Sequence, residues 1–359
     1  MAMPTEAAVL DALRAVKDPD LHKDIVALGF VKNLRLAEGR VAFTIELTTP
    51  ACPVKDLMRD QARAAVSALG VSNIDIEMTA QVRAVPNPGA GRQAVDGVKN
   101  IIAVGAGKGG VGKTTVSVNL ALALAKTGSR VAILDGDMYG PNIPIMLGLR
   151  AQLGTDGEKI VPAERYGVQA VSMAFLTQDD APVIWRGPML HGAIQQFFRD
   201  VRWRDVDYLI VDMPPGTGDV ALSLSQTVPV AGAVVVTTPQ VVSLADTRRA
   251  IQMYRKLNIP TIGLIENMSH FVCPSCSHES DIFGKGGGEA LATEMSVPFL
   301  GRVPLYEPVR TGGDIGVPIV ESEPASAAAK ALTAAAERVA QQVSIASFNR
   351  KIIPLVAAT

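Results

Sequence analysis

Hydrophobic positions change rhythm once along the chain. Before residue 85, segments 6–16 and 54–69 repeat apolar side chains at helical spacing, whereas 31–36, 41–47 and 74–78 read as short strands. The first two strands flank Glu38-Gly39, so the spacing predicts a hairpin. Beyond residue 99, nearly continuous apolar runs recur at 101–104, 131–134, 168–173, 208–211, 233–236, 261–264 and 299–300, alternating with helical stretches. Strands apolar on both sides belong in a parallel sheet with helices on both faces. Between the two regimes, Val85-Pro86-Asn87-Pro88-Gly89-Ala90-Gly91 gathers Pro and Gly without periodicity, as linkers do. The expected organisation is a small α+β domain over 1–85, a linker over 86–98, an α/β domain over 99–345 and a tail over 346–359. An Ala-rich helix is expected at 325–343.

Composition narrows the function classes. With 48% hydrophobic residues, the 359-residue chain can build a sizeable core. Its 34 basic and 35 acidic residues argue against a surface coated for nucleic acid. The longest apolar runs, such as 231–236, are strand-sized and far short of the ~20 residues a spanning helix needs. The N-terminus lacks a charged-then-apolar signal pattern. The expectation is a cytoplasmic protein with neither membrane nor nucleic-acid partners. Three cysteines are too few for a disulfide scaffold. In a reducing compartment, paired cysteines more often serve metal or redox chemistry.

The segment Gly107-Lys108-Gly109-Gly110-Val111-Gly112-Lys113-Thr114 meets every fixed position of the phosphate-binding loop, after an expected strand and before an expected helix at 115–126. Glycines let backbone N–H groups close on phosphates, and the helix N-terminus favours the anion. Lys113 is expected at the β/γ-phosphates and Thr114 at Mg²⁺, with Thr115 following. Lys108 is not demanded by the general pattern. With it, the loop resembles the deviant Walker A of the family that holds nitrogenase iron protein, cell-division positioning ATPases and plasmid-partition ATPases. That resemblance implies a dimer in which Lys108 reaches the partner's nucleotide. It makes Asp137 the residue orienting the attacking water and Asp135 a support of the metal shell. The strand at 208–211 runs into Asp212, which would hold Mg²⁺ through water. The loop from Asp212 to Asp219 looks like a switch whose Gly216 N–H senses the γ-phosphate. Asn267, at a strand end, would read adenine, with Pro304 and the region near Arg310 lining the base pocket.

Cys273-Pro274-Ser275-Cys276 places two thiols at metal-binding spacing. A thioredoxin-like redox pair lacks its surrounding pattern. A zinc knuckle would need two further ligands, for which His270 and His278 are candidates. An iron–sulfur cluster as a rule takes four thiolates, and two chains would supply them. The dimer implied by the phosphate loop and the dimer required by the thiols converge.

Together with Asp135-Gly136-Asp137-Met138-Tyr139-Gly140-Pro141-Asn142, Trp185-Arg186-Gly187-Pro188-Met189 and Glu266-Asn267-Met268-Ser269, these motifs resemble the Mrp/ApbC/Nbp35 family of iron–sulfur cluster carriers over about 99–345. The first 85 residues, with Asp18-Pro19 and Thr48-Thr49-Pro50-Ala51-Cys52-Pro53, are similar to the MIP18 (DUF59) domain of iron–sulfur assembly; Leu21-His22 departs slightly from its usual pattern. The resemblance implies a slow ATPase that carries a labile [4Fe–4S] cluster across a homodimer interface and passes it to apoproteins, with cluster-assembly proteins as further partners. Cys52, between two prolines at a helix start, is expected to have a depressed pKa and is a candidate cluster relay. The rival readings are a positioning or scaffold ATPase with the same loop, and an ATPase stapled by structural zinc.

Overall fold

The computed structural model describes residues 4–37, 39–86, 92–137, 140–150, 153–175, 187–216, 218–273, 275–276 and 278–349. The expectations at Glu38, 87–91, Met138-Tyr139, Trp185-Arg186, Thr217, Pro274 and 350–359 lie outside them. The chain divides into two compact units, one through Arg83 and one from Ala84 onward.

In the first unit, α1 (Glu6–Leu13) is followed by β1 (Val31–Ala37), β2 (Arg40–Leu47), α2 (Lys55–Ser67) and β3 (Asn73–Ala80). The Thr5 hydroxyl caps α1 by accepting from the Ala8 N–H at 3.2 Å. β1 and β2 form the expected antiparallel hairpin. β3 pairs with β2 in parallel, so α2 is the crossover between them. Met58, Ala62 and Val66 recur every four residues and bury one face of α2. The first helix is shorter than its periodicity, because residues 14–16 close in turns.

The second unit contains, in order, β4 (Val98–Ala106), α3 (Lys113–Lys126), β5 (Val131–Asp135), α4 (Ile143–Met146), β6 (Gly154–Asp156), β7 (Lys159–Val161), β8 (Ala163–Arg165), β9 (Val168–Ser172), α5 (Gly187–Asp200), β10 (Val206–Asp212), α6 (Asp219–Thr227) and β11 (Val230–Thr237). Then come α7 (Val241–Lys256), β12 (Thr261–Glu266), β13 (Phe271–Val272), β14 (Glu279–Ser280), α8 (Gly287–Glu294), β15 (Phe299–Arg302), α9 (Glu307–Ile315), α10 (Ile319–Ser322) and α11 (Ala327–Asn349). Its main sheet has the order β15-β12-β11-β4-β10-β5-β9-β8. All neighbours are parallel except β8, which runs antiparallel to β9 at the edge. That edge strand escapes the apolar pattern because Glu164 and Arg165 face solvent.

β10 and β11 are buried along their whole length, as continuous apolar runs require. Ala328, Ala329, Ala335, Ala336 and Ala340 of α11 are also buried, and small side chains let this helix approach α3 closely. β4 lies at the centre, with β10 on one side and β11 on the other. The order reverses there, so the loops leaving the carboxyl ends of β4, β5, β10, β11 and β12 open onto one edge. Among the described residues, no helix is long and apolar enough to cross a membrane.

Candidate functional site

The loop between β4 and α3 turns on glycines whose backbone other residues adopt only with strain. Gly110 and Gly112 have φ of +79° and +78°. A Cβ on Gly112 would stand 2.3 Å from Asn267 Nδ2, and one on Gly107 would strike the backbone of Asp246 at 2.3 Å. The loop is therefore pressed between the end of β12 and helix α7. Asn267 donates its Nδ2–H to the Val111 carbonyl at 2.9 Å. Val111 is buried, Gly109 and Gly110 are exposed, and Lys108 is half-buried. Among the described residues no ion pair engages Lys108.

Lys113 and Asp212 form a buried ion pair. Lys113 Nζ lies 2.6 Å from Asp212 Oδ2, and the side chains are 7% and 0% exposed. The Thr114 hydroxyl donates to the same oxygen at 2.8 Å, and the Ser117 hydroxyl donates to Oδ1 at 2.5 Å. Ser117 was not foreseen. Its signal was its place one helical turn beyond Lys113, on the same face of α3. Asp212 thus gathers the Lys113 ammonium and the Thr114 and Ser117 hydroxyls at the end of β10.

Asp135 is the register partner of Asp212 on neighbouring β5. It accepts from Asp137 N–H at 3.2 Å, Ile143 N–H at 3.2 Å and the Ser172 hydroxyl at 3.1 Å. Burial, with the Asp212 charge beside it, pushes its pKa up to about 7. Asp137 follows at the sheet edge, half-buried. Gly216, with φ of +94°, donates its N–H to the Ala106 carbonyl at 3.2 Å. In this conformation the expected γ-phosphate sensor is bonded to the end of β4.

Beside the loop lies a cavity of about 390 Å³, lined by Thr114, Thr115, Asn267, Met268, Pro304 and Arg310 among others. Its volume is in the range of small-molecule sites. Asn267, Pro304 and Arg310 are brought together as expected. Asn142, Ile145 and Asp314 also line it; Asn142 ends the motif that begins at Asp135, Ile145 lies in α4, and Asp314 lies in α9, one turn beyond Arg310.

The thiols sit on a separate surface ribbon. Phe271 pairs with Ser280 and Val272 with Glu279, and Cys273 N–H donates to the His278 carbonyl at 3.0 Å. Cys273 is half-buried and Cys276 exposed. Backbone N–H groups of Ser275 and Cys276 hold the Cys273 thiol below the usual range. The His270 ring is hydrogen-bonded to the Ser269 hydroxyl at 2.9 Å, and His278 is exposed. Among the described residues, no three His, Cys, Asp or Glu side chains converge as a metal-binding group. The one-chain zinc set of Cys273, Cys276, His270 and His278 is thus not assembled.

The expectation of an activated Cys52 is corrected. Burial pushes its thiol up to about 11, with Asp18 and Asp20 adding to the shift, while the bond to the Val54 backbone offsets it only in part. α2 begins at Lys55, too late for its N-terminus to dominate.

Residues 97–340 match the family model of the NUBPL iron-transfer P-loop NTPases, and residues 6–77 match that of an iron–sulfur cluster assembly protein. A protein named iron-sulfur cluster carrier protein from Synechocystis is 51% identical over 356 residues, spanning 96% of this chain and 100% of the relative. The chloroplastic Fe-S cluster assembly factor HCF101 of Arabidopsis thaliana is 41% identical over 336 residues, spanning 92% of this chain and 62% of the relative. Among solved structures, a nucleotide-binding protein from Archaeoglobus fulgidus in complex with ADP superposes with a TM-score of 0.57 at 36% identity, covering 64% of this chain and 90% of that one. The cell-division ATPase MinD of Pyrococcus furiosus gives 0.51 at 26% identity, covering 67% and 98%. The chain belongs to the NUBPL iron-transfer P-loop NTPase family, with an iron–sulfur cluster assembly domain preceding the NTPase domain.

Proposed function

We propose that the protein is an ATP-dependent carrier that holds a labile [4Fe–4S] cluster as cargo between two copies of the chain and passes it to apoproteins in the cytoplasm. The observation that carries this reading is the placement of Cys273 and Cys276 on a surface ribbon rooted at Asn267, a residue in contact with the phosphate loop. One ribbon offers two thiolates, whereas such a cluster takes four. A second copy completes the set. Cargo held half by each chain is released by a small rotation at the interface.

The nucleotide would lie on the loop from Gly107 to Thr115, with its base in the cavity beside Asn267. The residues fit such a ligand: the left-handed glycines leave room for phosphates, and among the described residues the buried Lys113 ammonium is partnered by Asp212 and Thr114. Mg²⁺, held by Thr114 and Asp212, would neutralise phosphate charge. Phosphate oxygens would then replace Asp212 as the partner of the Lys113 ammonium. Asp135 orients the neighbouring backbone by accepting from the Asp137 and Ile143 N–H groups, and Asp137 would position water. Lys108 would act across the dimer. Gly216 would exchange the Ala106 carbonyl for the nucleotide, which makes the loop after β10 the switch. Hydrolysis by this set rests on positioning and charge neutralisation.

Anaerobic reconstitution with iron and sulfide analysis tests the reading. About four irons per two chains are expected, with dimerisation seen by sedimentation. Cys276→Ala should abolish both while nucleotide binding persists. One zinc per chain and no cluster would overturn the carrier reading.

A further inference from the structure

The cysteines ride on an excursion that leaves the sheet at Glu266, the last residue of β12, and returns at 286–288, where α8 begins. Glu266 is fully buried, and a buried charge is destabilising unless it is well partnered. Its partners lie on the returning limb. Oε2 accepts from the Gly288 N–H at 2.5 Å and Oε1 from the Gly286 N–H at 3.3 Å. Arg302 Nε lies 3.5 Å from Oε1, and the same guanidinium reaches Glu289 in the first turn of α8 at 2.5 Å. One carboxylate therefore ties the departure of the excursion to its return. The fit leaves no slack, since a Cβ on Gly288 would stand 3.0 Å from both Cβ and Oε2 of Glu266.

The outbound limb is held by Ser269 N–H on the Val303 carbonyl at 3.0 Å and by Leu305 N–H on the His270 carbonyl at 2.7 Å. From Phe271 onward, the described residues of the ribbon are joined by two residue pairs and the Cys273–His278 bond. A two-stranded ribbon of that length does not hold its shape alone. Its geometry is inherited from its root.

We propose that Glu266 is a positioning residue for the cargo thiols, a clasp that fixes the spacing of the two limbs and hence the presentation of Cys273 and Cys276. For the cargo, this rests on the carrier reading above; the clasp itself is tested without cargo.

Hydrogen exchange on the metal-free, full-length protein reads the clasp directly. Glu266→Gln keeps one acceptor but turns an amide NH₂ toward the second backbone donor. Exchange across 271–280 should rise about tenfold, while β4 and β11 keep wild-type protection. Gly288→Ala presses on the carboxylate from the opposite side and should give the same local loss; it carries the test should Glu266→Gln fail to fold. After anaerobic reconstitution, a chelator should bleach the cluster's visible absorption faster in both variants than in wild type. Wild-type protection of 271–280 in both variants would overturn the clasp. Faster exchange in a protein whose wild type never takes up a cluster would overturn the carrier reading and leave the clasp standing.

Discussion

Single residues set this site through what they forbid. Gly112 combines a left-handed backbone with an ideal Cβ position 2.3 Å from Asn267 Nδ2, so Gly112→Ala must displace either the loop or the asparagine. Loss of measurable ATP binding by calorimetry is the expected result. The Lys113–Asp212 pair has a different logic. Removing one partner strands the other charge in a buried site, which typically destabilises by about 3 kcal/mol. Denaturant unfolding should show that loss for Asp212→Ala, and a smaller loss for the Lys113→Ala/Asp212→Ala double variant. Equal losses would mean the pair is not electrostatically closed. The cysteines part company on acidity. Cys273 is held below the usual thiol range and Cys52 is pushed up to about 11. Thiolate forms by proton loss, so at mildly alkaline pH the metal-free protein should be alkylated at Cys273 well before Cys52, by peptide mass spectrometry. Cys52 should catch up only as pH approaches its raised pKa.

At the level of elements, legibility followed burial. β4, β10, β11 and β12 were readable because both faces are covered, which forces continuous apolar runs. α3 was readable because the phosphate loop announces it. The edge strand β8 was not, since three residues, two of them exposed, carry no period. Glu266 appeared in a motif, yet no spacing rule connects it with Gly288 twenty-two positions later; only the return of the chain to α8 makes the clasp. Asn267 was expected to meet the base, and the cavity includes it. Its bond to the Val111 carbonyl was invisible in sequence, because that contact joins the ends of two separate strands across the sheet edge. This junction yields a test. Asn267→Asp replaces a donor with a negative acceptor facing a carbonyl oxygen, so the loop should lose its support from β12. ATP affinity should fall about tenfold, the equivalent of one hydrogen bond to a charged or well-placed group.

For the whole molecule, the seam between units decides how the NTPase can stand alone. Sequence placed a linker over 86–98 because Pro and Gly crowd there, yet part of that stretch belongs to the second unit. Val85 and Val95 are buried. Val85 N–H donates to the buried Asn100 Oδ1 at 3.0 Å, and Gln93 N–H to the Thr227 carbonyl at 3.3 Å. Proline and glycine report local backbone freedom; they do not report whether the residues around them find a surface. A chain starting at Ala84 retains these contacts, whereas one starting at residue 99 removes two buried valines and the Val85 N–H that donates to Asn100 Oδ1. Each valine is worth about 1.5–3 kcal/mol when fully buried. The shorter chain should therefore melt roughly 6–24 °C below the longer one, at about 2–4 °C per kcal/mol for a unit of this size. Both should still bind ATP, because the loop, Asp212 and the cavity beside Asn267 lie wholly beyond residue 99. Equal melting temperatures would show that 84–98 is a tether and that the second unit begins with its first strand.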